Sequence, residues 1–394
     1  MRRCAIHAAA ALVVLLCAAP GRAEPYVPGD DAAVLERLPL APLDASARRQ
    51  RELRAELAAR PDDLDRAAQL AWLYIRSGRA TADPRFYGYA QGVLAPWWHE
   101  RAAPLPVLVL RATIRQHDHD FAAALDDLAA ALRADPTNAQ AWLTQAVVQQ
   151  VRGDYAAARA SCLQVLQVAS PLVGVICISG VDSLTGNGAA SYAALARALQ
   201  RAPEADPATR IWGLTALAEM AVRLGDAVQA EVHFQAALAL GQSDDYLRGA
   251  YADFLLDQDR PDAVRALLAG ATQSDGLLLR LAIAEARLHA PEAAAHVQML
   301  RERFAAARQR GDRVHRREEA RFALLLGDTR AALGLARDNW AVQREAWDAR
   351  LLLEAAQAAG DPAVAAPVLA FLREHHTEDA TLRRVAAGLD ERPR

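Results

Sequence analysis

Apolar residues recur at intervals of three and four positions through most of the chain, in short segments separated by polar turns. This spacing places the apolar side chains on one face of a helix, so the pattern predicts amphipathic helices and an all-α fold. A pair of such helices leaves one apolar face uncovered, and stacking on neighbouring pairs buries that face.

The same residue types return every 34 positions, which indicates an internal repeat. Asp120-Phe121 returns as Asp154-Tyr155. Three small residues also return at this interval: Ala112, Ala124 and Ala131 correspond to Ala146, Ala158 and Val165.

The segment 136–166 resembles a tetratricopeptide repeat (TPR) throughout its length. Trp142 occupies the aromatic position of the first helix, and Ala146 and Ala158 occupy the small positions of the two helices. Gly153-Asp154-Tyr155 matches the turn between the two helices, and Pro136 matches the proline that ends the preceding repeat. Gln145 and Gln149 depart from the usual Leu and Tyr, which leaves the packing detail in doubt.

The resemblance implies a right-handed superhelical solenoid of about eight or nine TPR-like hairpins over residues 47–389. One repeat, around 282–308, is degenerate, and Gly225-Asp226, Gly327-Asp328 and Gly360-Asp361 mark further turns. Residues 24–46 are expected to form an extended lead-in and 390–394 a polar tail. The small position of the second helix recurs at Ala90, Ala124, Ala158, Ser191, Ala230, Val264, Ala332 and Ala365.

Residues 1–23 carry the pattern of a signal peptide. Arg2 and Arg3 precede the apolar stretch 8–19, and Gly21-Arg22-Ala23 suits a signal peptidase. We therefore expect a periplasmic or secreted protein cleaved after Ala23, with no transmembrane span in the mature chain. A lipid anchor on Cys17 is the alternative, which Leu16 disfavours because lipoprotein signals usually have a small residue there.

Cys162 and Cys177 are the two cysteines that remain after cleavage. They lie 15 residues apart, on helices expected to be adjacent and antiparallel, so one disulfide is geometrically possible. Two buried thiols are the favoured interpretation.

The 45 basic residues are all arginine, against 48 acidic residues and a net charge of -3. The absence of lysine excludes Schiff-base catalysis and a phosphate-binding loop with a Gly-Lys pair. The balanced charge predicts no nucleic-acid partner. We expect neither enzymatic activity nor a cofactor.

Two polar tracts contain residue types that can bind a metal ion, but a metal site is not favoured at either. His117-Asp118-His119-Asp120 has good zinc ligands, but Asp120 occupies the turn position of Asp154. Glu374-His375-His376 lacks a catalytic spacing. We therefore predict no metal site. The charge run 301–321 has mixed signs, which favours a solvated helix pair over a basic contact strip.

If the resemblance holds, the first helix of each repeat lines an inner groove. The groove lacks the lysine and asparagine set with which TPR clamps hold a C-terminal carboxylate, so a hydrophobic or extended segment is the better-matched ligand. The predicted groove residues are Gln69, Trp72, Ile75, Leu143, Val147, Gln150, Ile176, Trp212, Glu219 and Asp253.

An aromatic patch falls in the first repeat and the segment after it. Its members are Phe86, Tyr87, Tyr89, Trp97 and Trp98. Core packing beneath an N-terminal cap and an interface patch are both open interpretations. Pro96 and Pro104 bracket the two tryptophans in what the sequence predicts to be a loop, which favours partial exposure.

The sequence thus predicts a scaffold or adaptor that holds a protein or peptide partner along its concave groove in a bacterial cell envelope. The alternatives are the helical docking part of an envelope enzyme complex and a structural, self-assembling protein. The repeats occupy nearly the whole mature chain, which leaves no room for a catalytic domain.

Overall fold

The computed structural model describes residues 45–242, 244–312 and 314–390, and every regular element within them is helical. The expected signal peptide, nearly all of the lead-in and residues 391–394 of the tail lie outside the described residues. The helices are α1 (Ala45–Ala59), α2 (Leu64–Thr81), α3 (Arg85–Val93), α4 (Ala95–Trp98), α5 (Leu105–His117), α6 (Phe121–Ala134), α7 (Ala139–Val151), α8 (Tyr155–Val168), α9 (Pro171–Asp182), α10 (Gly188–Arg201), α11 (Pro207–Leu224), α12 (Ala227–Leu238), α13 (Asp245–Asp257), α14 (Pro261–Leu267), α15 (Asp275–Arg287), α16 (Ala293–Gln309), α17 (Arg316–Leu325), α18 (Thr329–Trp340), α19 (Ala346–Ala359), α20 (Ala366–Glu374) and α21 (Ala380–Asp390).

All of these helices except α1, α4 and α21 pair into nine antiparallel hairpins within the described residues, which confirms the predicted TPR-like solenoid. A short 3₁₀ helix (Pro362–Ala365) precedes α20 in the ninth hairpin, and the degenerate repeat is the hairpin of α15 and α16. The hairpins are α2/α3, α5/α6, α7/α8, α9/α10, α11/α12, α13/α14, α15/α16, α17/α18 and α19/α20.

Each hairpin turn is built on one residue in the left-handed region, followed by the cap of the second helix. Gly153 (φ 77°) lets the amide of Asp154 donate to the carbonyl of Gln149 at 2.8 Å, which closes the end of α7. Gly225 repeats this geometry, and the side chain of the following Asp226 then caps α12. The glycine-aspartate pairs read from the sequence therefore do mark the turns.

The small residues projected along the second helices are all buried. Ala124 and Ala158, on α6 and α8, have no exposed surface. A larger side chain at these positions would force the two helices of a hairpin apart, because protein interiors have no spare volume. The 34-residue pattern of small residues thus marks buried positions of the second helices.

A disulfide joins Cys162 of α8 to Cys177 of α9, with the two Cα atoms 5.5 Å apart. It replaces the two free thiols favoured from the sequence. The same helices approach closely at Gly174, where a β-carbon would lie 2.7 Å from the Cα of Leu166. The bond therefore connects successive hairpins across a tight contact.

The first helices of successive hairpins pack on one another and form the inner layer of the solenoid, as in the series α7, α9, α11 and α13. The coil also folds back on itself, because α21 contacts α11 and α13 contacts α2. The sequence did not predict this second set of contacts. No helix of the described residues has the length and apolar character needed to cross a membrane.

The late hairpins meet the early ones along a row of hairpin turns. We call this contact the seam. Four left-handed residues, one from each of hairpins two to five, each contact a residue that follows α18. The four pairs are His119 with Gln343, Gly153 with Phe371, Gly186 with His376, and Gly225 with Ala380.

Candidate partner-binding surface

The inner wall is formed by the side chains that α7, α9, α11 and α13 direct into the coil. Three large apolar side chains on it stay partly exposed: Val147 (38%), Trp212 (37%) and Tyr246 (66%). The charges of Glu345 and Arg317, from later hairpins, also act on the Tyr246 hydroxyl. These three side chains are apolar and accessible to solvent.

Tyr246 is a wall residue that sequence analysis missed. It lies 34 positions after Trp212, so it occupies the same helical position in the next repeat. The insertion before α11 disturbs the register at this point, which hid the relationship. Counting one repeat length of 34 residues from Trp212, and not from the repeat before the insertion, identifies Tyr246.

Glu219 and Tyr246 form the polar centre of the wall. The Tyr246 hydroxyl donates to Oε1 of Glu219 at 2.7 Å, and the charge of Arg223 acts on the same carboxylate. Burial raises the pKa of Glu219, and the neighbouring carboxylate raises the pKa of Tyr246 well above its usual value. The carboxylate thus retains acceptor capacity for a further donor.

Gly180 is the corresponding wall position of α9. By the repeat interval, Gly180 stands at the position of Val147 in α7 and of Glu219 in α11. A β-carbon at Gly180 would meet only Oε1 of Gln150, at 3.9 Å. The α9 position therefore presents no side chain, where α7 has an apolar one and α11 an acidic one. Gln150 and Leu143, also predicted groove residues, are half-buried on α7.

Asp253, another predicted groove residue, is buried in an arginine network. Arg280 and Arg321 each donate to it at 2.6 Å. Burial alone would raise the pKa of Asp253, but the two guanidinium groups outweigh it and lower the pKa. Its acceptors are therefore occupied within the protein. Arg321 also lies over the Trp347 ring, with its guanidinium carbon 4.7 Å from the ring centroid.

The remaining predicted groove residues divide between core and surface. Ile75 and Ile176 are fully buried core residues, so their side chains are not available to a partner in this conformation. Gln69 is exposed on α2 and accepts from Arg49 at 3.5 Å. Trp72, half-buried on the same helix, has Arg79 5.7 Å from its ring centroid. Val147 lies on α7, Trp212 and Glu219 lie on α11, and Gln69 and Trp72 lie in the first hairpin.

The aromatic patch is also divided. Tyr87 is buried and stacks on the imidazole of His117, with centroids 3.5 Å apart. Phe86 is half-buried and packs edge-on against Tyr89, which is 52% exposed. Trp97 and Trp98 are half-buried in the short helix α4, so the prediction of a loop there is wrong. Pro96 occupies the first turn of this helix, where a proline costs no hydrogen bond.

The first polar tract lies at a hairpin turn, and in the second the imidazole of His375 meets the Tyr155 ring edge-on, with centroids 4.8 Å apart. Asp120 caps α6, as its turn position predicted, and no group of three or more potential metal ligands occurs among the described residues. In the charge run, Arg303 pairs with Asp275 at 2.8 Å and Arg308 with Glu319 at 2.7 Å. These arginines therefore tie neighbouring elements of the solenoid together.

Comparison with known proteins gives remote similarity only. No family model matches the chain, and neither does any curated protein. A tetratricopeptide repeat protein from Parabacteroides merdae shares 14% identity over 59% of this chain and 89% of its own (TM-score 0.44). A Rap protein complexed with Competence and Sporulation Factor shares 14% over 86% and 92% (TM-score 0.47). The human IFIT1 dimer with PPP-AAAA shares 13% over 87% and 84% (TM-score 0.40). At these values the similarities assign neither a ligand nor a partner to this chain.

Proposed function

We propose that the protein is a non-enzymatic scaffold that binds an extended segment of a partner protein along the inner wall of α7, α9, α11 and α13. The observation that carries this proposal is the set of partly exposed side chains Val147, Trp212 and Tyr246 on that wall. A large aromatic surface that stays in contact with water is stabilised when a partner covers it.

The polar groups of the wall suit a peptide. Glu219 accepts one hydrogen bond from Tyr246 and can accept another from a backbone amide or a basic side chain. Gly180 presents no side chain, and a β-carbon there would meet only Oε1 of Gln150, at 3.9 Å. Peptide recognition commonly uses main-chain hydrogen bonds, for which Glu219 offers an acceptor.

The proposed site of action is the cell envelope of a bacterium, after export and cleavage behind Ala23. The signal-peptide pattern of residues 1–23 supports export. The Cys162–Cys177 disulfide is consistent with it, because such bonds persist in oxidising compartments. A form anchored through Cys17 is less favoured, since Leu16 precedes the cysteine.

The test is site-specific photo-crosslinking in native cells. Benzoylphenylalanine replaces Tyr246 or Trp212 on the wall and, as the matched control, Val228, which is 72% exposed on α12. We expect the same adduct from both wall positions and none from Val228. Loss of that adduct in a folded Glu219→Gln background would place the polar centre in the interface. Equal adducts from all three positions, or none from the wall, would contradict the proposal.

A further inference from the structure

Two carboxylates of α13 are neutralised by arginines of later hairpins. Asp253 accepts from Arg280 and Arg321, each at 2.6 Å. Asp257 accepts from Arg350 at 2.6 and 2.7 Å. Each of these acids therefore has its counter-charge within hydrogen-bond distance, and the chain itself supplies it.

Glu219 of α11 is held in another way. Its carboxylate accepts from the Tyr246 hydroxyl at 2.7 Å, which is a neutral donor. Arg223 lies one turn further along the same helix, and its charge acts on Glu219. Nη2 of Arg223, however, donates to Oγ of Ser183 at 2.9 Å, at the end of α9. The guanidinium thus bonds to α9, while the carboxylate bonds to a phenol.

The pKa values of Glu219 and Asp253 shift in opposite directions. Burial raises the pKa of Glu219, and the negative charges of Glu345 and Asp253 add to this effect, against the charge of Arg223. The pKa of Asp253 is lowered, because its two guanidinium groups outweigh burial. A cation bound to Glu219 would therefore stabilise this carboxylate as the two arginines stabilise Asp253.

Aromatic and aliphatic surface lies next to the Glu219–Tyr246 pair on the wall. Tyr246 is 66% exposed, and Trp212, which is 37% exposed, lies two turns before Glu219 on α11. The counterparts of Glu219 in the two preceding hairpins are Gly180 and Val147, which carry no charge. Arginine and lysine have an apolar stem that covers such surface while the cationic head reaches a carboxylate. The face of a tryptophan or tyrosine ring also attracts a cation.

We propose that Glu219 and Tyr246 form a subsite for a basic side chain, arginine or lysine, of the segment that lies on the wall. This subsite presupposes the proposed function, and it specifies the chemistry of the partner: one basic residue with apolar neighbours, which cover Trp212 and Val147. A carboxylate has about four acceptor positions, so Glu219 can accept from the basic head as well as from Tyr246. Charge complementarity thus selects the segment, and the apolar contacts hold it.

The experiment selects ligands from a phage-displayed library of short random segments, with residues 24–394 as the bait. We expect the selected segments to share one arginine or lysine beside apolar residues. Each selected segment is then synthesised with that residue and with glutamine in its place, and both peptides are titrated by fluorescence anisotropy. Binding that is lost in Trp212→Ala identifies the peptides that occupy the wall.

Glu219→Gln tests the subsite, because glutamine still accepts from Tyr246 but carries no charge. In the wild type, exchange of the basic residue for glutamine should weaken binding about tenfold or more, since hydrogen bonds between charged groups are the stronger ones. In Glu219→Gln the same exchange should weaken binding less than about threefold. Glu204→Gln is the matched control and should behave like the wild type, because Glu204 is exposed in the loop before α11.

An equal loss in the wild type and in Glu219→Gln, or wall-binding segments without a basic residue, would overturn the subsite and leave the proposed function in place. A selection that yields no segment dependent on Trp212 would contradict the proposed function itself, and the subsite with it. Circular dichroism checks that each variant is folded. The composition of the wild-type segments tests the subsite without the Glu219 variant.

Discussion

Gly153 lies against the ring of Phe371, and a β-carbon at position 153 would come within 2.8 Å of two ring carbons. The two residues belong to hairpins three and nine, so this contact joins distant parts of the chain. Gly153 is also a left-handed turn residue with φ 77°. The same missing side chain therefore serves the local turn and the long-range seam.

Gly153→Ala should lower the free energy of unfolding by about 2–5 kcal/mol, from backbone strain and from overpacking against Phe371. Urea unfolding followed by circular dichroism measures it. Gly327→Ala is the matched control, because Gly327 has φ 73° and a β-carbon there would meet nothing within 4 Å. It should cost only the strain, about 1–2 kcal/mol. Equal losses in the two variants would show that the Phe371 contact contributes nothing.

A cysteine pair at Gly225 and Ala380 should lock the seam. The β-carbons at these positions would be 3.5 Å apart, within the range of a disulfide. We expect the pair to oxidise, and the oxidised form to unfold at a higher urea concentration than the reduced form of the same variant, so that the strain of a side chain at Gly225 (φ 82°) cancels in the comparison. The single variant Ala380→Cys should show only the smaller difference that the native disulfide produces. A double variant that stays reduced under oxidising conditions would contradict the contact between the two positions.

The repeat, the hairpin turns and the buried small positions were all predictable, because each depends on residues within one repeat. The buried position of Ala158 and the turn at Gly153 can both be predicted from one repeat, without the rest of the fold. The seam was not predictable in this way. His119 and Gln343 meet across 224 positions, at the end of several hairpins whose small rotations add up, and no local pattern encodes that sum.

The wall was partly predictable, because the position of a residue within its repeat indicates which face of the helix it occupies. Trp212 and Glu219 follow from the helical position, whereas Ile176 is fully buried. The repeat intervals of 33 and 39 residues align Ile176 with Leu143 of α7 and Thr215 of α11, and Thr215 is also buried. This position therefore belongs to the core in α9 and α11, although Leu143 is only half-buried.

Asp127 is expected to be a strong determinant of stability in the second hairpin. It accepts from Arg111 at 2.7 and 2.9 Å and from Arg115 at 2.8 Å, and Asp127 and Arg111 are both buried. Asp127→Ala leaves a buried guanidinium without its carboxylate, which should cost about 3–5 kcal/mol in urea unfolding. Asp83→Ala removes the exposed pair with Arg85 and should change stability little. A small effect at Asp127 would mean that water replaces the carboxylate.

Removal of the disulfide should destabilise the protein without changing its fold. The bond closes a loop with a sequence separation of 15, so the Cys162→Ala/Cys177→Ala variant should lose about 3 kcal/mol, chiefly because its unfolded chain is less constrained. Thermal unfolding should show the loss, and a reducing agent should produce a similar shift in the wild type and none in the variant. Since Cys162 is fully buried, part of the loss would reflect packing. A variant as stable as the reduced wild type would assign the effect to the covalent bond, whereas a wild type insensitive to reduction would contradict the prediction.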